Sequence, residues 1–184
     1  GIFVNFKNVD TISISYFRLN EKISALLDNN YDYTRNKNIN TDSIVKLIIA
    51  KNTPLKEQTI VLPNKKDYFE YNTEVLLEKL DTGKYLIYVE TNNNLNTKAF
   101  AYNKISVTNL YLIEGKEDKK DVFYLYDRKT GRPLENVIIR NEDEAIKTNK
   151  NGNAYFKHRD RIKDKTYKNE ILVTFKDDSL TTKY

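Results

Sequence analysis

The sequence predicts an all-β chain built as two tandem β-sandwich domains, the first carrying a short helical insertion. Three observations predict it. Apolar residues alternate with period two along much of the chain, the mark of half-buried strands. In the second half, short strand-like runs recur every ~8–12 residues with turn residues between them, the spacing of a sandwich. Near residue 104 the buried parity switches: Phe100 and Tyr102 are even-numbered, Ile105 and Val107 odd. One strand cannot change its buried face without a bulge or an end. The junction is therefore placed around Lys104–Thr108, giving domains 1–106 and 107–184. No Gly/Ser or Pro/Thr tract joins them, so a defined joint is expected and not a loose tether.

The elements follow in order. Ile2, Val4 and Phe6 make a short apolar strand. Thr11 to Tyr16 puts Ile12, Ile14 and Tyr16 on one face and Thr11, Ser13 and Ser15 on the other. Asn20 can cap a helical turn, with Ile23, Leu26 and Leu27 at helical spacing. The Asn-rich stretch Asn29 to Asn40 reads as a loop. Thr41 can cap a second helical piece with Ile44, Leu47 and Ile48 on one stripe, so the substantial helix is expected within Asn20–Asn52. Strands return at Lys56 to Leu62, and an amphipathic stretch lies near Phe69 to Leu77. Asp81-Thr82-Gly83 then turns the chain into an apolar strand through Val89. Gly83 permits positive φ in that turn. Tyr85 stands where sandwich folds carry a tyrosine corner, its hydroxyl on main chain near the turn; an ordinary strand aromatic is the other reading. Asn92 to Asn96 reads as a hairpin loop before the strand through Phe100 and Tyr102.

In the second half the runs are Leu110–Ile113, Val122–Tyr126, Asn136–Arg140, Ala145–Lys147, Asn153–Phe156 and Glu170–Phe175. Lys129-Thr130-Gly131, Asn141-Glu142-Asp143 and Asn149-Lys150-Asn151-Gly152 separate them as turns. A small seven-strand sandwich is the expected form.

Composition removes whole classes of function. The chain has 184 residues, 39% of them hydrophobic and 31% charged; 14 Tyr and 8 Phe need a packed environment. Cys is 0, which excludes disulfides, thiolate metal sites and a Cys nucleophile within this chain. One His makes Ser-His-Asp chemistry and a His-rich metal site unfavoured. The 31 Lys+Arg are offset by 26 Asp+Glu for a net charge of +5, and the signs interleave, as in Glu114 to Asp121. Clustering is what marks a nucleic-acid binder, so none is expected. The basic cluster Lys157, His158, Arg159, Arg161 and Lys163 reads as a solvated loop. No apolar run approaches the ~20 residues of a membrane helix, so no direct membrane insertion is expected. The chain opens Gly-Ile-Phe-Val without Met, which reads as a piece of a longer protein. Absent cysteine agrees with a bacterial envelope setting.

The most informative segment is Val122-Phe123-Tyr124-Leu125-Tyr126-Asp127-Arg128-Lys129-Thr130-Gly131-Arg132-Pro133-Leu134-Glu135-Asn136-Val137. It resembles the "DRxTGxPLxxAxV" strand-turn-strand of macroglobulin-type domains in the bacterial alpha-2-macroglobulin family. Lys147 to Phe156 is similar to that family's "TDxxGxAxF" hairpin, with Asn149 in place of its Asp. Ile171-Leu172-Val173 and then Lys176 to Ser179 resemble its closing "LLV...GDDS", and Val107 to Leu110 its entry strand. Carboxypeptidase-regulatory-like sandwiches share parts of this pattern. The first half resembles, less sharply, the preceding domain of Bacteroidetes-type members through its "LxxGxYLIxV" strand. Ile138-Ile139 depart from the small residue often found there.

The resemblance implies two Ig/fibronectin-III-like, macroglobulin-type sandwiches. It implies part of the shell of a broad-spectrum protease-trapping inhibitor, in the periplasm or at the cell surface, with any lipid anchor in a segment outside this chain. The implied partners are neighbouring domains of the full-length protein and, through the whole assembly, host or environmental proteases. No catalytic, cofactor-binding or metal-ligating residue carries over. The residues agree: no phosphate-binding glycine loop, zinc-protease helix or nucleophile elbow is present. Asp127 with Asp177 and Asp178 could suggest Ca²⁺, though turn carboxylates on local amides are the simpler reading. His158 lacks evident co-ligands. The tyrosines could stack on glycans, though core packing is expected to claim most of them. The alternative function is therefore a β-sandwich adhesin or glycan-binding module, which should show a line of exposed aromatics on one sheet face or loop set.

Overall fold

The computed structural model describes residues 1–28, 31–32, 37–38, 40–92, 99–118, 120–157 and 170–183. The chain divides into two compact units, Gly1–Ser106 and Val107–Tyr184.

Unit 1 runs β1 (Ile2–Phe6), β2 (Thr11–Leu19), α1 (Glu21–Asp28), β3 (Tyr31–Asp32), β4 (Lys37–Asn38), α2 (Thr41–Lys51), β5 (Lys56–Val61), β6 (Tyr71–Val75), β7 (Gly83–Thr91) and β8 (Phe100–Val107). Its main sheet has the order β5-β2-β7-β8, and β1 pairs antiparallel with β6. Both faces of the main sheet are covered. On one, Phe17, Leu19 and Leu86 are buried against Val45 and Ile48 of α2, with Ile23 and Leu27 of α1 beside them. On the other, Ile12, Ile14, Tyr16, Tyr85 and Ile87 are 3% exposed or less. The β1–β6 pair supplies the layer on that side through buried Phe6 and Val75, and the Tyr16 hydroxyl accepts the Glu78 amide just beyond β6 at 3.0 Å. The helices thus form a third layer on a sandwich.

Several sequence expectations are corrected here. Two helices, of eight and eleven residues, stand where the sequence offered two helical pieces and one substantial helix. Asn20 caps the first, its Oδ1 accepting the Ile23 amide at 2.9 Å. Asn40, not Thr41, caps the second, accepting the Ser43 amide at 3.1 Å. Thr41 is instead the first helical residue, its Oγ1 bonded to the Tyr102 hydroxyl at 3.1 Å. The buried stripe of α2 is Val45 and Ile48, and Leu47 points outward at 53% exposure. The paired β3 and β4 lie inside the stretch read as a loop. β8 runs unbroken through the parity switch, with Lys104 and Ile105 half-buried in succession. It is an edge strand with no fully buried residue; Tyr102 packs against the helix-side core at its start, and the inward bias fades toward Val107. The Asn92 to Asn96 loop lies, beyond Asn92, outside the described residues.

Unit 2 contains β9 (Leu110–Glu117), β10 (Lys120–Asp127), β11 (Ile138–Arg140), β12 (Ala145–Lys147), β13 (Asn153–Lys157), β14 (Glu170–Phe175) and β15 (Asp178–Lys183). They form two antiparallel sheets, β13-β10-β9 and β12-β11-β14-β15. This is the expected seven-strand sandwich among the described residues. β15 is an element the sequence reading did not assign. The core between the sheets holds Leu110, Phe123, Leu125, Val137, Ile139, Ala154, Phe156, Ile171 and Val173. Phe123 and Phe156 meet edge to face at 5.4 Å, a favoured aromatic arrangement. Buried Thr148 ties the loop before β11 to the chain after β12: its hydroxyl donates to Leu134 O at 2.6 Å and accepts the Val137 amide at 2.9 Å.

Candidate functional site

The acidic residues singled out by sequence serve turns. Asp127 Oδ1 accepts the amides of Lys129 and Thr130 at 3.0 and 2.8 Å and the Thr130 hydroxyl at 2.9 Å, and Gly131 closes the turn at φ +67°. The Thr130 amide is the main cause holding the Asp127 carboxyl below its ordinary value. Asp178 Oδ2 accepts the Asn109 amide at 2.8 Å, while the Asn109 carbonyl accepts the Arg128 amide at 2.7 Å. Both turns are thereby pinned to the residue just before β9. Asp177 is exposed in the β14–β15 turn. Among the described residues no three His, Cys, Asp or Glu are grouped to hold a metal. His158, Arg159, Arg161 and Lys163 lie outside the described residues.

The hairpin turn with Asn149 keeps its geometry without the Asp. Asn149 Oδ1 accepts the amides of Asn151 and Asn153 at 2.9 and 3.0 Å. Tyr85 forms the tyrosine corner: its ring is fully buried and its hydroxyl donates to Asp81 O at 3.0 Å.

The tyrosines do not follow the core-packing expectation. Among the described residues only Tyr16 and Tyr85 are buried. Tyr88 and Tyr102 pack partly buried against the helix-side core of unit 1, and unit 2 turns Tyr111, Tyr124, Tyr126 and Tyr155 to one place. Register sets Tyr126 opposite Tyr111, Tyr124 opposite Ile113, and Val122 opposite Gly115 and Tyr155. Directly paired residues share a face. Leu110, Leu112, Phe123 and Leu125 have the inward parity, so the tyrosines form the outer face of β13-β10-β9. Tyr111, Ile113 and Tyr155 are 49%, 43% and 54% exposed. The Arg128 guanidinium lies 6.0 Å from the Tyr111 ring centre and the Lys120 ammonium 4.8 Å from that of Tyr155. The Tyr124 hydroxyl donates to Glu117 at 2.7 Å, which raises the Tyr124 pKa.

Such a surface offers ring faces for stacking and hydroxyls for hydrogen bonding. It juxtaposes no nucleophile with a base. Period two marked both faces of these strands as apolar, so the signal was present but its direction was not.

Two antiparallel sandwich units in series, with a tyrosine corner and the hairpin turns above, make an all-β tandem-sandwich architecture. In particular, the chain is similar in fold to native alpha-2-macroglobulin from Escherichia coli. Against the structure spanning domains MG0-NIE-MG1 the TM-score is 0.67 at 10% identity, covering 98% of this chain and 57% of that one. Against the structure spanning NIE-MG1 it is 0.65 at 12% identity, covering 100% of this chain and 88% of that one. No protein-family model matches the chain, and no curated protein sequence matches it. At such identities the likeness is one of fold.

Proposed function

We propose that the chain is a non-catalytic structural part of a bacterial envelope alpha-2-macroglobulin-like protein, contributing to the shell of a protease-trapping inhibitor. The carrying observation is the superposition of the whole chain, both units in series, on 88% of the NIE-MG1 structure. In this reading 1–106 and 107–184 are both macroglobulin-type domains. The family-like segments support it, since Asp127, Gly131, Thr148 and Gly152 all stand at turns and ties that build unit 2. The setting is the periplasm or the cell surface. No helix among the described residues is long and apolar enough to cross a membrane.

Trapping requires a cleavable bait and a cage large enough to close around an enzyme. Two small sandwich units cannot enclose a protease domain of comparable size. The isolated chain should therefore leave endopeptidases fully active on a large protein substrate at any molar ratio. Stoichiometric protection of that substrate by this chain alone would refute the reading and indicate a compact, loop-presenting inhibitor.

A further inference from the structure

We propose that the outer face of the β13-β10-β9 sheet binds a linear polysaccharide bearing carboxylate groups. This goes beyond the shell reading and does not depend on it. Three observations argue for the occupant.

The first is size. Strands ~4.8 Å apart, with same-face side chains ~6.8 Å apart along each, make a platform of about 250 Å² from the Tyr126 row to the Lys120 row. A stable protein partner needs roughly 800 Å² on each side. The platform alone is well below that size and suits a narrow, extended ligand laid along the strands.

The second is chemistry. Tyr111 and Tyr155 are exposed and Tyr124 and Tyr126 half-buried on this face, so it offers aromatic ring surface together with phenolic hydroxyls. A pyranose presents a C–H face to a ring and equatorial hydroxyls to its neighbours, which is the complement of this surface. Gly115 contributes to its flatness, with open space where a Cβ would stand. The backbone groups of central β10 are already used within the sheet, so recognition has to run through these side chains.

The third is charge. Arg128 lies against Tyr111 and Lys120 against Tyr155, at opposite ends of β10. Glu117 stands on the same face opposite Lys120 in the register, where its carboxylate accepts the Tyr124 hydroxyl. Cations held at both ends and aromatic surface between them suit a chain carrying a carboxylate on successive sugars, each cation pairing with one sugar carboxylate.

The test titrates the whole chain with hexagalacturonate and, separately, with neutral cellohexaose. Trp is 0, so tyrosine emission reports directly; amide chemical shifts locate the site. The expected result is saturable binding of hexagalacturonate, shifts confined to β9, β10 and β13, and weaker binding of the neutral sugar. Tyr111→Ala and Tyr155→Ala alter exposed side chains and leave the fold intact by circular dichroism. Each should weaken binding about tenfold or more. Arg128→Gln and Lys120→Gln should remove the preference for the acidic sugar. Absence of saturable binding, shifts on other elements, equal binding of the two sugars, or affinities unchanged in the tyrosine variants would each overturn the proposal. So would self-association through this face in sedimentation, abolished by the same variants.

Discussion

Replacing Gly152 with alanine should destabilise unit 2 severely, whereas the same change at Gly131 should not. Both glycines have left-handed backbone, at φ +76° and +67°. A side chain there costs about 1–2 kcal/mol, and the lower entropy of the unfolded alanine chain returns roughly 0.4–1 kcal/mol. That leaves about 1 kcal/mol common to both sites. The surroundings differ. A Cβ on Gly131 meets nothing within 4 Å, but on Gly152 it would lie 2.6 Å from the Leu125 carbonyl oxygen and 3.1 Å from Pro133 Cβ. That carbonyl accepts the Leu134 amide, and the Leu125 amide donates to Gly152 O, both at 2.9 Å. Backbone therefore has to move on both sides of β10. Overpacking costs ~1–3 kcal/mol and each loosened hydrogen bond ~1 kcal/mol, for a total of about 3–5 kcal/mol. In a domain of this size that is a fall of roughly 15 °C or more in Tm, against about 5 °C for Gly131→Ala. Because the two units can unfold separately, the assay is hydrogen exchange read on peptides of β10 and β14. If both variants lose the same protection, the close approach at Gly152 is not what selects glycine there.

Other outcomes follow from the same contacts. Tyr85→Phe removes the bond to Asp81 O and should cost unit 1 about 1 kcal/mol in a urea titration. An unchanged midpoint would remove the tyrosine corner from the account. Thr148→Val strips the buried Val137 amide of its acceptor and should cost about 2–3 kcal/mol, while Thr148→Ser keeps both bonds and most of the stability. On the acid side, Asp127 is held low chiefly by the Thr130 amide and Asp67 by the Tyr71 hydroxyl. A depressed carboxylate stabilises the fold above its unfolded value, near 3.8, and that stability is lost as pH falls through the lower folded value. Asp67→Asn with Asp127→Asn should therefore flatten the fall in urea midpoint below pH 4. On the alkaline side, Tyr16 and Tyr88 are raised by burial. Their contribution is complete below pH 10 and is lost as pH rises through the raised values, so unfolding should begin above pH 10.

What was legible in the sequence was what local chemistry dictates. Gly83 and Tyr85, the Asp127 turn, the Asn149 hairpin and the strand from Val122 to Tyr126 all stand as read, because turn residues and period two act over a few positions. Choices between near-equal neighbours were not legible. Asn40 and Thr41 can both cap, and only the bond of Thr41 to Tyr102 separates them. Leu47 was placed on the helical stripe, but contact with β2 and β7 selects Val45. β15 reads Asp-Ser-Leu-Thr-Thr-Lys, with a single aliphatic residue to mark a face. The tyrosine face was hidden for the opposite reason. Leu110, Leu112 and Leu125 alternate with Tyr111, Ile113, Tyr124 and Tyr126, so both parities look buried. Only the position of the second sheet decides which one is.

The most direct test of the central claim is to express the full-length gene product that contains this chain and challenge it with an endopeptidase. Residual activity is then read on a large protein substrate and on a small peptide substrate. A shell that traps its protease predicts loss of activity on the protein while the peptide is still cleaved, with the present chain alone affecting neither. Equal loss on both substrates, or loss on neither, would contradict the assignment of this chain to a protease-trapping shell.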